Sequence, residues 1–288
     1  MGDFAVNVAL AYRIGAARDY YSILSAMDIP DDELFAEFGR GINDLILSHR
    51  ADLERKRYAN RIELKLNPGW IKAASTAAGP KTRWVDGTPE YSFYMHGLRK
   101  LFPQALFIHL VRDVRAVVRS MINFHRVTGI QLVASEEEAY RYWMRIVSAC
   151  LMAERACGPS VVHRIRYADL IDNPEPTMRS LLDFLGEPYA EKCLEPLELR
   201  INSSNVSDDF KTDRPATDPA IIEEATRLSR DLEQTAQAPD TSSPAADEME
   251  AAFAKRVQYM ATLDSQYQRA LQLSGDSAKQ EHGGCEPG

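Results

Sequence analysis

The chain has 288 residues, 45% of them hydrophobic and 26% charged, with a formal net charge of −8. That length allows one large globular domain or two small ones, and the acidic balance argues against a general nucleic-acid binder. No apolar stretch reaches the length of a membrane span and no charged-then-apolar leader opens the chain, so a cytoplasmic location is expected.

Asp19 to Tyr58 is expected to be largely helical. Pro30-Asp31-Asp32 is a helix-start signal, and Leu34, Phe35, Phe38, Ile42, Leu45 and Ile46 form an apolar stripe. Gly39 and Gly41 are expected to weaken that helix. Turn signals at Asn67-Pro68-Gly69 and Gly79-Pro80 punctuate a mixed segment. Trp84 to Glu90 reads as a loop that ends at a helix start, with Thr88 as N-cap and Pro89 in the first turn. Ala105 to Val111 is a short apolar run interrupted only by His109, as expected of a strand buried on both faces. His109 is expected to be a satisfied core histidine.

Past that strand the pattern turns helical, with Val114, Val117, Val118, Met121 and Ile122 on one side. Ser135 and Glu138 form a capping box ahead of a helix through Leu151. Val161 to Tyr167 alternates like a second strand, and Asn173-Pro174 opens a helix that Gly186 closes. Strand, helix, strand, helix argues for an α/β fold with a parallel sheet flanked by helices. The organisation expected is a domain over 1–230, a linker over 231–247, a helix over 248–273 and a disordered tail over 274–288. Cys150, Cys157, Cys193 and Cys285 lack metal-ligand spacing and are expected to be free thiols.

Chemistry concentrates where the first strand meets its helix. Between Arg99 and Arg126 stand six Arg or Lys residues against one acid, Asp113. Arg112 lies at the carboxyl end of the strand, where open α/β sheets bind ligands. A helix N-terminus there would offer free N–H groups to an anion, and Arg112 a planar fork for phosphate oxygens. Ser120 adds a hydroxyl two helical turns on. Asp86 and Glu90 flank the Thr88-Pro89 turn as candidate general bases, with Asp86 preferred.

Trp84-Val-Asp-Gly-Thr-Pro89, Leu101-Phe-Pro103, Phe107-Ile-His-Leu-Val-Arg-Asp113 with Ser120, Arg166-Tyr-Ala-Asp-Leu170 and Asn202-Ser-Ser-Asn205 together resemble the sulfotransferases that use PAPS (3′-phosphoadenosine 5′-phosphosulfate). The resemblance covers roughly residues 84–210. It implies a helix-rich sheet of P-loop-nucleotidase type and transfer of a sulfuryl group from PAPS to an acceptor hydroxyl or amine, leaving PAP. It implies that Arg112 and Ser120 hold the 3′-phosphate, that Tyr167 lies near the nucleotide, and that Ser203 or Ser204 approaches the phosphosulfate. Asp86 would act as general base, the acceptor would be a small molecule, glycan or peptide, and no metal is implied.

Two departures stand out. The family's N-terminal strand and 5′-phosphosulfate loop have no clear counterpart, as in a shortened or divergent member. The nearest string, Gly15-Ala-Ala-Arg-Asp-Tyr-Tyr-Ser22 after the alternating Phe4 to Tyr12, places Asp19 and two tyrosines where a small uncharged turn is needed. Gly87 stands where many members carry Lys. An alternative is therefore a non-catalytic protein of the same fold that binds PAP or a protein partner. A metal-dependent P-loop kinase is disfavoured, because Gly79-Pro-Lys-Thr82 lacks the first glycine of that motif and Pro80 removes a needed N–H.

Overall fold

The computed structural model describes residues 1–17, 21–60, 83–198 and 216–282. Two compact units emerge: Met1–Gly41 with Tyr94–Pro103 and Glu248–Gly288, and Ile42–Phe93 with Gln104–Asp247. Among the described residues no helix is long and apolar enough to cross a membrane.

The first unit is helical. It draws on α1 (Gly2–Ala16), α2 (Ile23–Ala26), α3 (Asp31–Asn60), α4 (Met95–Leu101) and α11 (Ser243–His282). Ala5, Val6, Phe35, Leu101, Phe253 and Val257 form its core. Phe4 to Tyr12 is thus helix and not an alternating strand. The single helix expected from Asp19 is also divided. Asp28 adopts a positive φ of 50°, and Pro30 then opens α3 with Asp31, Asp32 and Glu33 in its first turn. Gly39 does more than weaken α3: a Cβ there would lie 1.6 Å from the Leu101 carbonyl oxygen, so only glycine lets the two backbones meet. Lys100, counted above in the basic island, is neutralised by Asp31 and Asp32.

The second unit carries the sheet. β1 (Phe107–Val111) and β2 (Val162–Arg166) pair in parallel, in a register that sets His109 beside Arg164 and Val111 beside Arg166. The crossover between them contains α5 (Val114–Thr128) and α6 (Glu136–Cys157). After β2 come α7 (Tyr167–Asp172), α8 (Pro174–Leu185), α9 (Glu195–Glu198) and α10 (Pro219–Gln234). Local signals explain the boundaries. The Asp113 carboxylate caps α5, Ser135 caps α6 by accepting from the Glu138 N–H, and Gly186 closes α8 at φ 67°. Val111, Val114, Val118, Tyr140, Trp143, Ile221 and Leu232 form one core among β1, α5, α6 and α10.

β1 is not buried on both faces. His109 and Val111 are buried on one, whereas Ile108 and Leu110 on the other are 41% and 52% exposed. α8 reaches that second face over β2, where Phe184 stacks on His163 at 4.9 Å. The segment expected as a linker over 231–247 contains the last turn of α10 and the first of α11. Between them Gln237 behaves like a strand: its amide accepts from the Arg164 N–H at 2.9 Å and donates to the Val162 carbonyl at 2.6 Å. This covers the outer edge of β2. α11 continues to His282, beyond the expected helix end at 273.

Beneath the sheet, Glu154 of α6 binds both register partners. Its carboxylate lies 2.5 Å from His109 Nδ1 and accepts from Arg164 Nε at 2.9 Å. His109 and Glu154 are buried and Arg164 nearly so. His109 is therefore the satisfied core histidine expected. Burial alone would raise the Glu154 carboxyl, but the hydrogen bonds and charges of His109 and Arg164 outweigh it and hold it below the usual carboxylate range. A depressed folded-state value means stability that is present above the unfolded value and lost as pH falls through the folded one. We expect Glu154→Gln to cost about 3–5 kcal/mol at neutral pH, by leaving Arg164 buried without its counter-charge. It should also flatten the acid side of the stability–pH curve. Urea denaturation from neutral to acid pH checks this, and an unchanged acid dependence would contradict it.

Candidate functional site

The parallel register decides what meets at the carboxyl end of the sheet. Val111 and Arg166 close the two strands side by side, so the next residues, Arg112 and Tyr167, leave them as neighbours. The Arg112 guanidinium carbon lies 4.8 Å from the centroid of the Tyr167 ring. Arg112 is exposed and Tyr167 half-buried, so the ring braces the fork from one side and leaves its other edges open. Among the described residues Arg112 makes no hydrogen bond or ion pair. Arg166 beside it is engaged, with Asp169 at 2.7 Å and the Glu233 carbonyl at 2.8 Å.

Ser120 is half-buried on α5, seven residues beyond the Asp113 cap and so nearly in line with it along the helix. It shares a strand-to-helix unit with Arg112, without a hydrogen bond between the two. Two of the amides expected to be free at the start of α5 are already used. Val114 N–H donates to Ser229 Oγ at 3.2 Å, and Ala116 N–H to Asp113 Oδ1 at 2.8 Å. Ser229 went unnoticed in the sequence. Its signal is a hydroxyl on the buried Ile221, Ala225, Leu232 stripe of α10.

Asp86 sits in the exposed turn ahead of the 3-10 helix Pro89–Tyr94. Its Oδ1 accepts from the Thr88 N–H at 3.1 Å and the Thr88 hydroxyl at 2.6 Å, and its Oδ2 from the Tyr91 hydroxyl at 3.0 Å. This is an Asx turn. Partial burial raises the carboxyl, but the Thr88 and Tyr91 hydrogen bonds together prevail and hold it below its ordinary value. Such a carboxylate takes up a proton less readily than a free aspartate. Glu90, one turn on, accepts a 2.5 Å hydrogen bond from the Tyr142 hydroxyl. Burial and then the Glu90 carboxylate push the Tyr142 phenol up, so it stays protonated and holds Glu90 in place. Gly87 faces open space: no described atom lies within 4 Å of where a Cβ would stand.

Ser203, Ser204, Lys211 and Arg214 lie outside the described residues, as does Gly79–Thr82. Of the string Gly15–Ser22, Gly15 belongs to α1 and Ser22 caps α2, with residues 18–20 outside the described set. Cys150 and Cys193 are free thiols, and burial followed by Glu154 pushes the Cys150 thiol up to about 12. As the anchor of its turn, Asp86 should be worth about 1 kcal/mol, the usual cost of losing a helix cap. Asp86→Ala tests this by thermal unfolding, and an unchanged midpoint would contradict it.

Residues 44–191, just over half of the chain, match the profile of the Sulfotransferase family. Protein-tyrosine sulfotransferase 1 of Danio rerio is 38% identical over 116 residues, 38% of this chain and 31% of that protein. Omega-hydroxy-beta-dihydromenaquinone-9 sulfotransferase of Mycobacterium tuberculosis is 31% identical over 105 residues, 34% of this chain and 27% of that one. This chain thus spans less than a third of either relative's length. A solved sulfotransferase domain from the curacin biosynthetic pathway superposes over 59% of this chain and 62% of its own, at 21% identity and a TM-score of 0.34. With its parallel β1–β2 unit and the match over 44–191, the chain belongs to the sulfotransferase family.

Proposed function

We propose that this chain transfers a sulfuryl group from PAPS to an acceptor hydroxyl, with Arg112, Ser120 and Tyr167 holding the nucleotide end of the donor. The observation that carries this reading is the Arg112 guanidinium: braced over Tyr167 at the carboxyl end of the sheet, without a protein counter-charge among the described residues. An arginine so placed suits a phosphate dianion, which it can grip through two parallel N–H···O bonds. The Ser120 hydroxyl, on the helix that follows Arg112, adds a third donor.

The donor supplies an activated sulfuryl group. Its bond to the bridging phosphate oxygen breaks as a bond to the acceptor oxygen forms, PAP leaves with the negative charge, and the acceptor proton passes to a base. As in phosphoryl transfer, the protein contributes mainly position and charge stabilisation. Asp86 is the residue that the turn motif suggests as base. Its three donors favour a turn-holding role and leave Glu90, oriented by Tyr142, as the better proton acceptor on the same turn. The named acceptors of both relatives, a tyrosine in a protein and an omega-hydroxy menaquinone, carry hydroxyls, which favours a hydroxyl over an amine here. Ser203 and Ser204 keep their place in this reading as groups near the phosphosulfate.

Arg112→Ala should lose retention on immobilised PAP, weakening binding about 10- to 100-fold, as for a lost charge-assisted bond. Undiminished retention would overturn the site. Glu90→Gln should slow transfer by a factor on the order of 10² or more and remove the acid limb of the pH–rate profile. Asp86→Asn should leave that limb in place. The reverse outcome would return the base to Asp86.

A further inference from the structure

We propose that Ser229 of α10 is a positioning residue for Arg112. The inference rests on the reading of Arg112 as a ligand of the donor's 3′-phosphate. Val114 opens α5 two residues after Arg112 and is fully buried. The first amide of a helix has no acceptor within the helix, and in a buried setting it must find one elsewhere. Ser229 Oγ is that acceptor, at 3.2 Å, and Ser229 is itself buried. The Asp113 carboxylate takes the Ala116 N–H of the same turn. The start of α5 is thereby tied at two points, and Arg112 enters it from β1 with its fork over Tyr167.

The serine is a fixed post because α10 is held at both ends. At its carboxyl end, Arg166 Nη1 donates to the Glu233 carbonyl at 2.8 Å and Arg164 Nη1 to the Thr235 carbonyl at 2.9 Å. Cations are favoured at that end of a helix. Ahead of α10, the buried Thr217 hydroxyl donates to the Glu136 carboxylate at 2.7 Å. Both arginines belong to β2, the strand that also delivers Tyr167. Strand, helix and serine thus form one closed loop of contacts around the Arg112–Tyr167 pair.

Calorimetric titration with PAP and with AMP, which lacks the 3′-phosphate, tests the proposal. The proteins are the wild type, Ser229→Ala, Arg112→Ala and the double variant. We expect Ser229→Ala to weaken PAP binding about tenfold, the effect of one orphaned buried donor felt at the site. AMP binding should stay as in the wild type. In the Arg112→Ala background the serine change should add nothing, since two residues that act through one contact are not additive. Ser229→Thr, which keeps the hydroxyl, should bind PAP as the wild type does.

Equal losses on PAP and AMP, or a loss that persists without Arg112, would overturn the positioning role while leaving the donor site standing. A wild type that binds PAP no better than AMP would defeat the reading of Arg112, and the role of Ser229 with it. Should Ser229→Ala fail to fold, amide exchange in the wild type decides. Protection of the Val114 N–H that rises on adding PAP supports the role; exchange as fast as at a frayed helix start overturns it.

Discussion

The Glu154 carboxylate, shared between His109 on β1 and Arg164 on β2, is the contact on which the rest of the second unit depends. These two residues are register partners. Because side chains alternate across a strand, a slip of one residue would turn His109 to the opposite face and strand the carboxylate. A buried ion pair contributes little net stability against an apolar replacement, so keying the register is the better account of its presence here. The same register brings Val111 and Arg166 level at the strand ends. The meeting of Arg112 with Tyr167 then follows without any further device.

This gives the anion site a particular character. Backbone amides at a helix start are the cheapest way to bind phosphate. Here two of them serve the fold, one through Ser229 and one through Asp113. In the proposed reading, recognition falls to the Arg112 guanidinium and the Ser120 hydroxyl, which can be removed one at a time without loosening the backbone. The turn at Asp86 shows the same economy: carboxylate, threonine and tyrosine satisfy one another, and the proposal gives the role of base to Glu90.

Much of this was legible in the sequence wherever the signal is local. Ser135 with Glu138, Asn173-Pro174 and Gly186 mark helix ends within a few residues of chain, and the structure places them there. The apolar run 105–111 and the alternating 161–167 identified both strands, which the structure trims to Phe107–Val111 and Val162–Arg166. What escaped depends on distant partners. Gly39 looked like a weak point because the Leu101 carbonyl it admits lies far along the chain. Lys100 counted toward a basic patch because its aspartates precede it by some seventy residues. Gln237 sat in a polar stretch, with nothing nearby to mark it as the missing edge of β2. Ile108 and Leu110 read as core, since periodicity cannot tell the two-stranded sheet of the described residues from a wider one.

The account reduces to where a phosphate lands. A crystal structure with PAP tests it most directly. The 3′-phosphate should rest against the Arg112 guanidinium and the Ser120 hydroxyl, with the Arg112–Tyr167 stack intact. A nucleotide bound with that phosphate on any other pair of side chains, or an Arg112 turned away from Tyr167 to face solvent, would contradict it.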